Sequence, residues 1–331
     1  MGPTGRTEAG SGWALMASVV FLCAYAASQA RAADAGPTPG AAPGGTAGPT
    51  TMPFFEPLTL STDGADSGVP DSVYAPPAPP REDQGLNQGG VHFDLDVSYL
   101  NRYLYRGVIL FKNVGGSSQL NLQLDGKLSF DLGTLPHPYV ETFVNVDDGD
   151  SVSRFQEVRP GAGFDWNLKP LLISTGYIDY LYPEREKTND TQEGYAKLGF
   201  DDSTIFRTDQ PLLSPYIYGA FDFGRYHGFY FEAGISHNFP IEDTGFSFEL
   251  LADVGYVVNQ AFFRAATISD TGFQHYDLGL IATYSLNHLF NFSTRYGAFD
   301  LKGYLTYSNG INADIRADSA LWGGAGLSFS Y

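Results

Sequence analysis

The chain has 331 residues, of which 15% are aromatic and only 17% are charged, against roughly a quarter charged in an average soluble domain. Its mean hydropathy of −0.16 excludes a bundle of membrane helices and suits strands that are half apolar and half polar. The formal net charge is −18. No basic stripe is present, so we expect no nucleic-acid partner.

Residues 1–33 have the pattern of a secretory signal peptide. Arg6 precedes an apolar run from Trp13 to Ala27, and Ala30-Arg31-Ala32 supplies a cleavage site of the A-x-A type. The run is shorter than the roughly 20 residues of a spanning helix, so we predict cleavage rather than anchoring. The single cysteine, Cys23, lies in this segment behind large apolar residues, unlike a lipoprotein signal. We therefore predict a mature chain without a thiol.

Residues 34–90 differ from the rest of the chain in composition. Proline, glycine and alanine predominate, with the sequence PPAPP at 76–80. Such a segment contains too few apolar residues to bury a core, so we predict a disordered periplasmic leader.

From Val91 to Tyr331 apolar and polar residues alternate, as they do in strands that have one apolar face. The pattern predicts an all-β fold, a transmembrane antiparallel β-barrel of about twelve strands. Residues 202–213 and 287–297 fit poorly as short turns, so ten or fourteen strands remain alternatives. A secreted β-sandwich is the rival fold, but it would bury its apolar faces in a core. The predicted strands are 91–107, 119–130, 138–147, 155–167, 171–182, 191–201, 214–225, 228–238, 245–257, 273–286, 298–308 and 320–331.

The first predicted strand is continuous from 91 to 107. Its parity places Tyr103 and Tyr105 on the lipid face, as an interfacial girdle of aromatic residues. Arg102 and Arg106 fall on the other face, near the outer mouth of the barrel. They would form a basic spot for an anionic group or, as a simpler account, pair with acids of neighbouring strands.

The last strand combines an apolar face of Leu327, Phe329 and Tyr331 with a face of glycine and serine. Lipid can cover such a face, and pairing with the first strand would close the barrel beside Val91. This ending resembles the C-terminal strand that the outer-membrane assembly machinery recognises.

The stretch from Ser98 to Gly107, with the order Tyr103-x-Tyr105-Arg106-Gly107, is followed by Gly115-Gly116 and a second strand. It resembles the opening of the Gcw_chp or TorF-type family of outer-membrane porins. The resemblance covers about thirty residues. It implies a porin-like outer-membrane barrel without an established substrate.

Parity places fourteen acids and six bases inside the predicted barrel. An excess of carboxylates favours cations in a pore, whereas mutual pairing across a crowded interior is the alternative. The acids are Asp94, Asp96, Asp125, Glu141, Glu157, Asp165, Asp179, Glu193, Asp222, Glu232, Glu249, Asp253, Asp277 and Asp300, and the bases are Arg102, Arg106, Lys127, Arg159, Lys197 and Lys302. Our predicted pore-lining set is Arg102, Arg106, Asp125, Lys127, Glu141, Arg159, Asp179, Asp222, Glu232, Glu249, Asp253 and Asp277.

Two sequence patterns resemble parts of the active sites of outer-membrane enzymes. Ser308-Asn309-Gly310 is similar to part of an outer-membrane phospholipase motif, but Thr306 stands where that motif has its histidine. His275 and Asp277 share a face after an outer loop, as in a rim protease, and Asp147-Asp148 lies at another rim. The simpler explanation of the first pattern is that Asn309-Gly310 begins an outer loop, and that of the second is a solvated acidic loop. Acidic loop residues do not by themselves make a calcium site. We predict no enzyme, no metal and no cofactor.

Together these patterns predict an outer-membrane channel for passive diffusion of small polar solutes or ions, with weak cation preference. Its expected partners are outer-membrane lipid, the assembly machinery and the permeating solutes. The first alternative is a non-porous structural or adhesive barrel whose loops bind a partner. The second is a rim hydrolase or protease that uses His275 and Asp277.

Overall fold

The structure is a computed structural model that describes a C-terminal part of the chain with short gaps. The predicted signal peptide, nearly all of the leader and residues 148–154, with Asp148 of the predicted acidic rim, lie outside the described residues. The described residues are 90–110, 120–132, 135–147, 155–183, 190–208, 211–241, 244–263 and 270–331.

Twelve antiparallel strands form one closed barrel in the described residues, which confirms the predicted fold class and count. Each wall strand pairs with its neighbour along the chain, and the first strand closes the ring by pairing with the last. The strands are β1 (Val91–Leu100), β2 (Tyr103–Tyr105), β3 (Val108–Leu110), β4 (Asn121–Phe130), β5 (His137–Asp147), β6 (Phe155–Leu168), β7 (Leu171–Tyr180), β8 (Thr191–Phe200), β9 (Tyr216–Asp222), β10 (Phe229–Ile241), β11 (Phe246–Val258), β12 (Gly272–Ser285), β13 (Ala298–Gly310) and β14 (Ala320–Ser330). All except β2 and β3 belong to the wall.

The barrel is inside out compared with a soluble protein. On β12, Asp277 is 1% exposed whereas the adjacent Leu278 is 51% exposed. The same alternation recurs around the wall, because successive side chains of a strand point to opposite faces. Polar groups therefore lie inside and large apolar groups face outward. Among the described residues, no helix is long and apolar enough to cross a bilayer.

Short helices occupy the two segments that had left the strand count open. Helix α1 (Ser203–Phe206) connects β8 to β9, and α2 (Leu286–Phe290) connects β12 to β13. The carboxylate of Asp202 accepts hydrogen bonds from the backbone N–H groups of Leu212 and Leu213. In the other connection, the Asn287 side chain donates to the carbonyl of Gly297 and accepts from the N–H of Phe299. Both connections thus satisfy backbone groups without a further strand.

Closure brings the two ends of the barrel sequence together. Phe93 and Tyr331 exchange two backbone hydrogen bonds of 2.9 Å. The predicted partner of Tyr331, Val91, is thus two residues away from the observed one. We call the end where β1 begins and β14 ends the near end, and the opposite end the far end.

The first predicted strand is not continuous, which corrects the expectation for residues 101–107. Strand β1 ends at Leu100, and the chain then turns into the lumen as a two-stranded hairpin of β2 and β3. Tyr103 and Tyr105 are 1% and 0% exposed. They are therefore interior residues and not part of a lipid-facing girdle.

Candidate functional site

The hairpin turns at Arg106 and Gly107, and both residues have left-handed backbone angles (φ 43° and 72°). Such angles are those of the two-residue turns that match the twist of paired strands. Glycine is required at the second position for another reason as well. A Cβ atom there would lie 2.6 Å from the ring of His275 on β12. The hairpin tip therefore presses directly against the barrel wall.

Arg106 fixes the hairpin to the opposite side of the lumen. Its guanidinium donates two hydrogen bonds to Glu193 on β8, at 2.9 and 2.8 Å, and both side chains are almost fully buried. The Tyr180 hydroxyl donates to the same carboxylate at 3.0 Å. Strand β8 is separated from β1 by β4, β5, β6 and β7 along the wall. The Arg106–Glu193 ion pair thus bridges the lumen. A guanidinium that donates two parallel hydrogen bonds to one carboxylate is among the strongest hydrogen-bonded pairs in proteins.

Further hydrogen bonds hold the hairpin to other parts of the wall. The Tyr103 hydroxyl donates to Glu157 on β6 at 2.8 Å. The Gln274 amide donates to the backbone carbonyl of Arg106 at 2.6 Å. Asp318, between β13 and β14, donates its N–H to Gly107 O at 2.7 Å and accepts from Ile109 N–H at 2.8 Å. The hairpin is therefore anchored on several sides.

Aromatic and aliphatic side chains pack around the hairpin, and two arginines lie over aromatic rings. Arg159 lies over the Phe143 ring at 3.8 Å, and Arg106 lies over the Tyr230 ring at 4.2 Å. Cation–π contacts of this kind gain strength when desolvated. The resulting cluster narrows the lumen toward the far end, and it contains Tyr103, Tyr105, Val108, Leu110, Phe143, Tyr180, Tyr182, Tyr230, Val257, Phe262, Phe263 and Ile315.

A second polar layer lies nearer to the near end. Lys127 on β4 forms a 2.8 Å ion pair with Asp165 on β6 and lies 4.1 Å from the centre of the Tyr139 ring. The Tyr195 hydroxyl donates to Glu141 at 3.0 Å and also contacts the Tyr139 hydroxyl. Buried charge is costly without such partners, so pairing stabilises this layer.

The predicted pore-lining residues fall into two groups by burial. Asp125, Glu141, Asp179, Glu249 and Arg102 are partly buried. Fully buried members are Arg106, Lys127, Arg159, Asp222, Glu232, Asp253 and Asp277. Arg102 and Arg106 do not form a basic spot on the wall, because β1 ends before them and Arg106 pairs with Glu193. Whether the set lines an open pore stays a prediction.

Local backbone geometry brings three other residues together. A β-bulge in β12 leaves both Gln274 and His275 opposite Gly255, because Val254 pairs with Tyr276 and Tyr256 pairs with Phe273. Both bulged side chains are fully buried, and bulges of this kind redirect side chains. A Cβ atom on Gly255 would lie 2.5 Å from the His275 ring, so glycine makes room for the imidazole.

The bulge places His275 beside Asp253 and Asp277. The two aspartates are direct register partners across β11 and β12. His275 and Asp277 are 0% and 1% exposed, so neither side chain is accessible to a substrate at the rim. Ser308, the candidate nucleophile, is also fully buried and lies opposite Asp277 in the β12–β13 register.

No protein-family model and no curated protein matches the chain. Solved outer-membrane barrels do match. KdgM porin has a TM-score of 0.42 and 10% identity over 72% of this chain and 99% of its own. The COG4313 outer membrane channel from Pseudomonas putida F1 has a TM-score of 0.42 and 8% identity, over 73% of this chain and 96% of its own. NanC porin has a TM-score of 0.40 and 12% identity, over 72% and 98%.

Proposed function

We propose that this barrel is a porin-like channel of an outer membrane, narrowed from within by the β2–β3 hairpin. It admits small polar solutes or ions by passive diffusion and weakly favours cations. The observation that carries the proposal is a closed barrel with ionisable groups inside and large apolar groups outside. A barrel of twelve strands lies between the filled eight-stranded barrels and the open porins in size.

The apolar exterior supports the membrane setting. Leu250, Leu278, Leu305 and Leu327 are each about half exposed, on four different strands. An apolar band that runs around a molecule greatly exceeds the patches that soluble monomers expose. Closed barrels are the one strand architecture that satisfies every backbone group within lipid. Outer-membrane lipid, and the assembly machinery through β14, are therefore the proposed partners.

Depth in the bilayer provides a test of this setting. Leu305→Arg places a charge in the middle of β13, and we expect it to lower the free energy of unfolding in lipid vesicles by about 2–4 kcal/mol. Leu289→Arg, in the helix α2 that connects β12 to β13 outside the wall, is the matched control and should cost about 1 kcal/mol or less. Equal losses in urea titrations of the two variants would contradict a membrane-spanning wall.

Cation preference is proposed from the balance of buried charge. Carboxylates outnumber bases on the inward positions of the strands and hairpin, and a narrow lumen lined by one sign of charge concentrates the opposite ion. The buried acids at these positions are Glu157, Asp165, Glu193, Asp222, Glu232, Asp253 and Asp277, and the bases are Arg106, Lys127, Arg159 and Lys302.

Swelling of proteoliposomes tests the channel directly. Vesicles that contain the purified barrel should swell in small sugars and amino acids, and the rate should fall steeply with solute size because the hairpin narrows the lumen. A small cationic solute should enter faster than an anionic one of equal size. Swelling rates equal to those of protein-free vesicles for every solute would overturn the proposal.

The second candidate is a non-porous structural or adhesive barrel. The burial of Arg106, Tyr105 and Phe263 in the lumen favours it, since a filled interior leaves little room for solute. For a non-porous barrel, the variant without the hairpin should conduct and the wild type should not. A rim hydrolase has less support, because His275 and Asp277 are buried.

We further propose that the chain is related to the Gcw_chp or TorF-type porins. The resembling motif, Tyr103-x-Tyr105-Arg106-Gly107, coincides with the tip of the inserted hairpin. If the relationship holds, the motif is a turn sequence for an inward hairpin rather than the end of a wall strand. A structure of any member with this motif tests the assignment, which a straight wall strand there would contradict.

A further inference from the structure

We propose that Asp253, His275 and Asp277 form a binding site for one divalent transition-metal ion, with Zn²⁺ as a suitable probe. One ligand atom from each of the three side chains lies within 4.8 Å of the other two. The site is independent of whether the lumen conducts. Its mark is a group of buried polar atoms without hydrogen-bond partners in the described part of the chain.

Several polar atoms of these three side chains are buried without a hydrogen-bond partner among the described residues. Within the described part of the chain, His275 Nε2 and both carboxylate oxygens of Asp253 have no hydrogen-bond partner, nor does Asp277 Oδ1. All three side chains are almost completely buried. Buried polar groups are nearly always paired, so a cluster of orphaned ones calls for an unseen partner. A cation is the partner that would satisfy two carboxylates and an imidazole together.

Gln274 fixes the orientation of the His275 imidazole. The amide nitrogen of Gln274 donates to the backbone carbonyls of Arg106 and Arg316, at 2.6 and 3.0 Å. Its oxygen is thereby directed at His275 Nδ1, 3.3 Å away. A proton on Nδ1 would be donated to that oxygen, which leaves the lone pair of Nε2 facing the two aspartates. Metal-binding histidines commonly use this arrangement, in which an outer acceptor fixes the tautomer.

The separations and the types of the three ligand atoms suit a zinc ion. His275 Nε2 lies 4.0 Å from Asp253 Oδ1 and 3.9 Å from Asp277 Oδ2. Ligands at about 2.0–2.2 Å from tetrahedral zinc are about 3.4 Å apart. Because the three ligand atoms lie within 4.8 Å of one another, side-chain rotation of the two aspartates must bring them closer by up to about 1.4 Å to close the set. One imidazole nitrogen with two carboxylate oxygens suits zinc and its neighbours in the first transition row, and leaves a position open for water.

The site also lies directly beneath the hairpin tip. Gly107 abuts the His275 ring, and Gln274 joins the carbonyl of Arg106 to the imidazole. An ion held by His275 would therefore stiffen the contact between hairpin and wall. We expect metal binding to favour the docked hairpin and to lower the current through the barrel.

The test is calorimetric titration of the complete barrel with Zn²⁺ in detergent, after a chelator has removed bound metal. We expect one ion per chain and a higher unfolding temperature with zinc. Asp253→Asn and His275→Ala should weaken binding by at least about tenfold. Glu141→Gln is the matched control, because it removes a lumen carboxylate on the other side of the barrel and should leave zinc affinity unchanged.

A variant outside the ligand set separates ligation from folding. Gln274→Leu removes the acceptor for Nδ1 and should weaken zinc binding by about 10- to 100-fold, while the zinc-free variant should keep the circular dichroism of a folded β-barrel. X-ray absorption of the zinc-loaded wild type should show one imidazole nitrogen with oxygen neighbours. The proposal fails if millimolar Zn²⁺ does not bind the wild type, or if His275→Ala binds it equally well.

Discussion

Removal of the inserted hairpin should raise the single-channel conductance several-fold. The variant replaces residues 102–110 by a short Gly/Ser linker, which is feasible because Leu100 and Asn121 are register partners on adjacent strands. The wall would remain closed while Tyr103, Arg106 and their packing leave the lumen. Current scales with the open cross-section, so the step size in planar bilayers is the measurement.

Two controls accompany this experiment. Circular dichroism and thermal unfolding must show that the shortened protein still forms a β-barrel, since β1 pairs with β4 independently of the hairpin. The solute size limit in proteoliposomes should rise together with conductance. Unchanged step size in a correctly folded variant would show that the hairpin does not restrict the path. Steps in the variant but none in the wild type would instead favour the non-porous barrel as the native state.

Glu193→Gln should undock the hairpin for part of the time. The substitution replaces the carboxylate that pairs with the buried guanidinium of Arg106 by a neutral amide, and removal of one member of a buried ion pair costs about 3–5 kcal/mol. Part of this cost is avoided if the hairpin leaves the lumen and Arg106 reaches water. We expect flickering between the wild-type step size and the larger one of the hairpin-free barrel.

The matched controls separate charge from packing. Arg106→Gln combined with Glu193→Gln replaces the ion pair by neutral groups and should recover most of the stability and the steady small current. Tyr180→Phe removes one hydrogen bond to Glu193 and should cost about 1–2 kcal/mol without flickering. If Glu193→Gln unfolds in denaturant like the wild type and conducts steadily, the ion pair does not hold the hairpin.

The wall of the barrel could be predicted from sequence because its signal is redundant. Each strand shows several apolar/polar alternations, and neighbours along the chain pair in order, so small errors at the ends of strands do not change the count. Predicted 245–257 and 298–308 differ from β11 (Phe246–Val258) and β13 (Ala298–Gly310) by two residues at most. The helical turns α1 and α2 left no room for additional strands.

The hairpin was not predicted, because an alternation of apolar and polar residues does not show where in the barrel a strand lies. Tyr103 and Tyr105 keep the parity of the apolar residues of β1, although Leu100, Asn101 and Leu104 break the strict alternation. The same period fits a strand in the wall and one inside the lumen. The available signal was Arg106-Gly107, a pair suited to a two-residue turn with positive φ. The predicted wall strand that runs to Gly107 does not take this pair into account.

The cluster around His275 escaped prediction for a different reason. Parity placed Asp253 and Asp277 inward and His275 on the face of Asp277, but the residues are distributed over two strands. Only the pairing register brings the aspartates opposite each other. The bulge that directs both Gln274 and His275 inward depends on Gly255, and one glycine within a strand is a weak signal on its own.

The most direct test of the central claim is the current through the purified wild-type barrel in a planar bilayer. A narrowed, acid-lined channel predicts small, discrete steps, and a reversal potential of the sign for cations under a tenfold KCl gradient. The hairpin-free variant should show larger steps under the same conditions. Wild-type protein that inserts yet gives no steps at any applied voltage, or steps that select anions, would contradict the account.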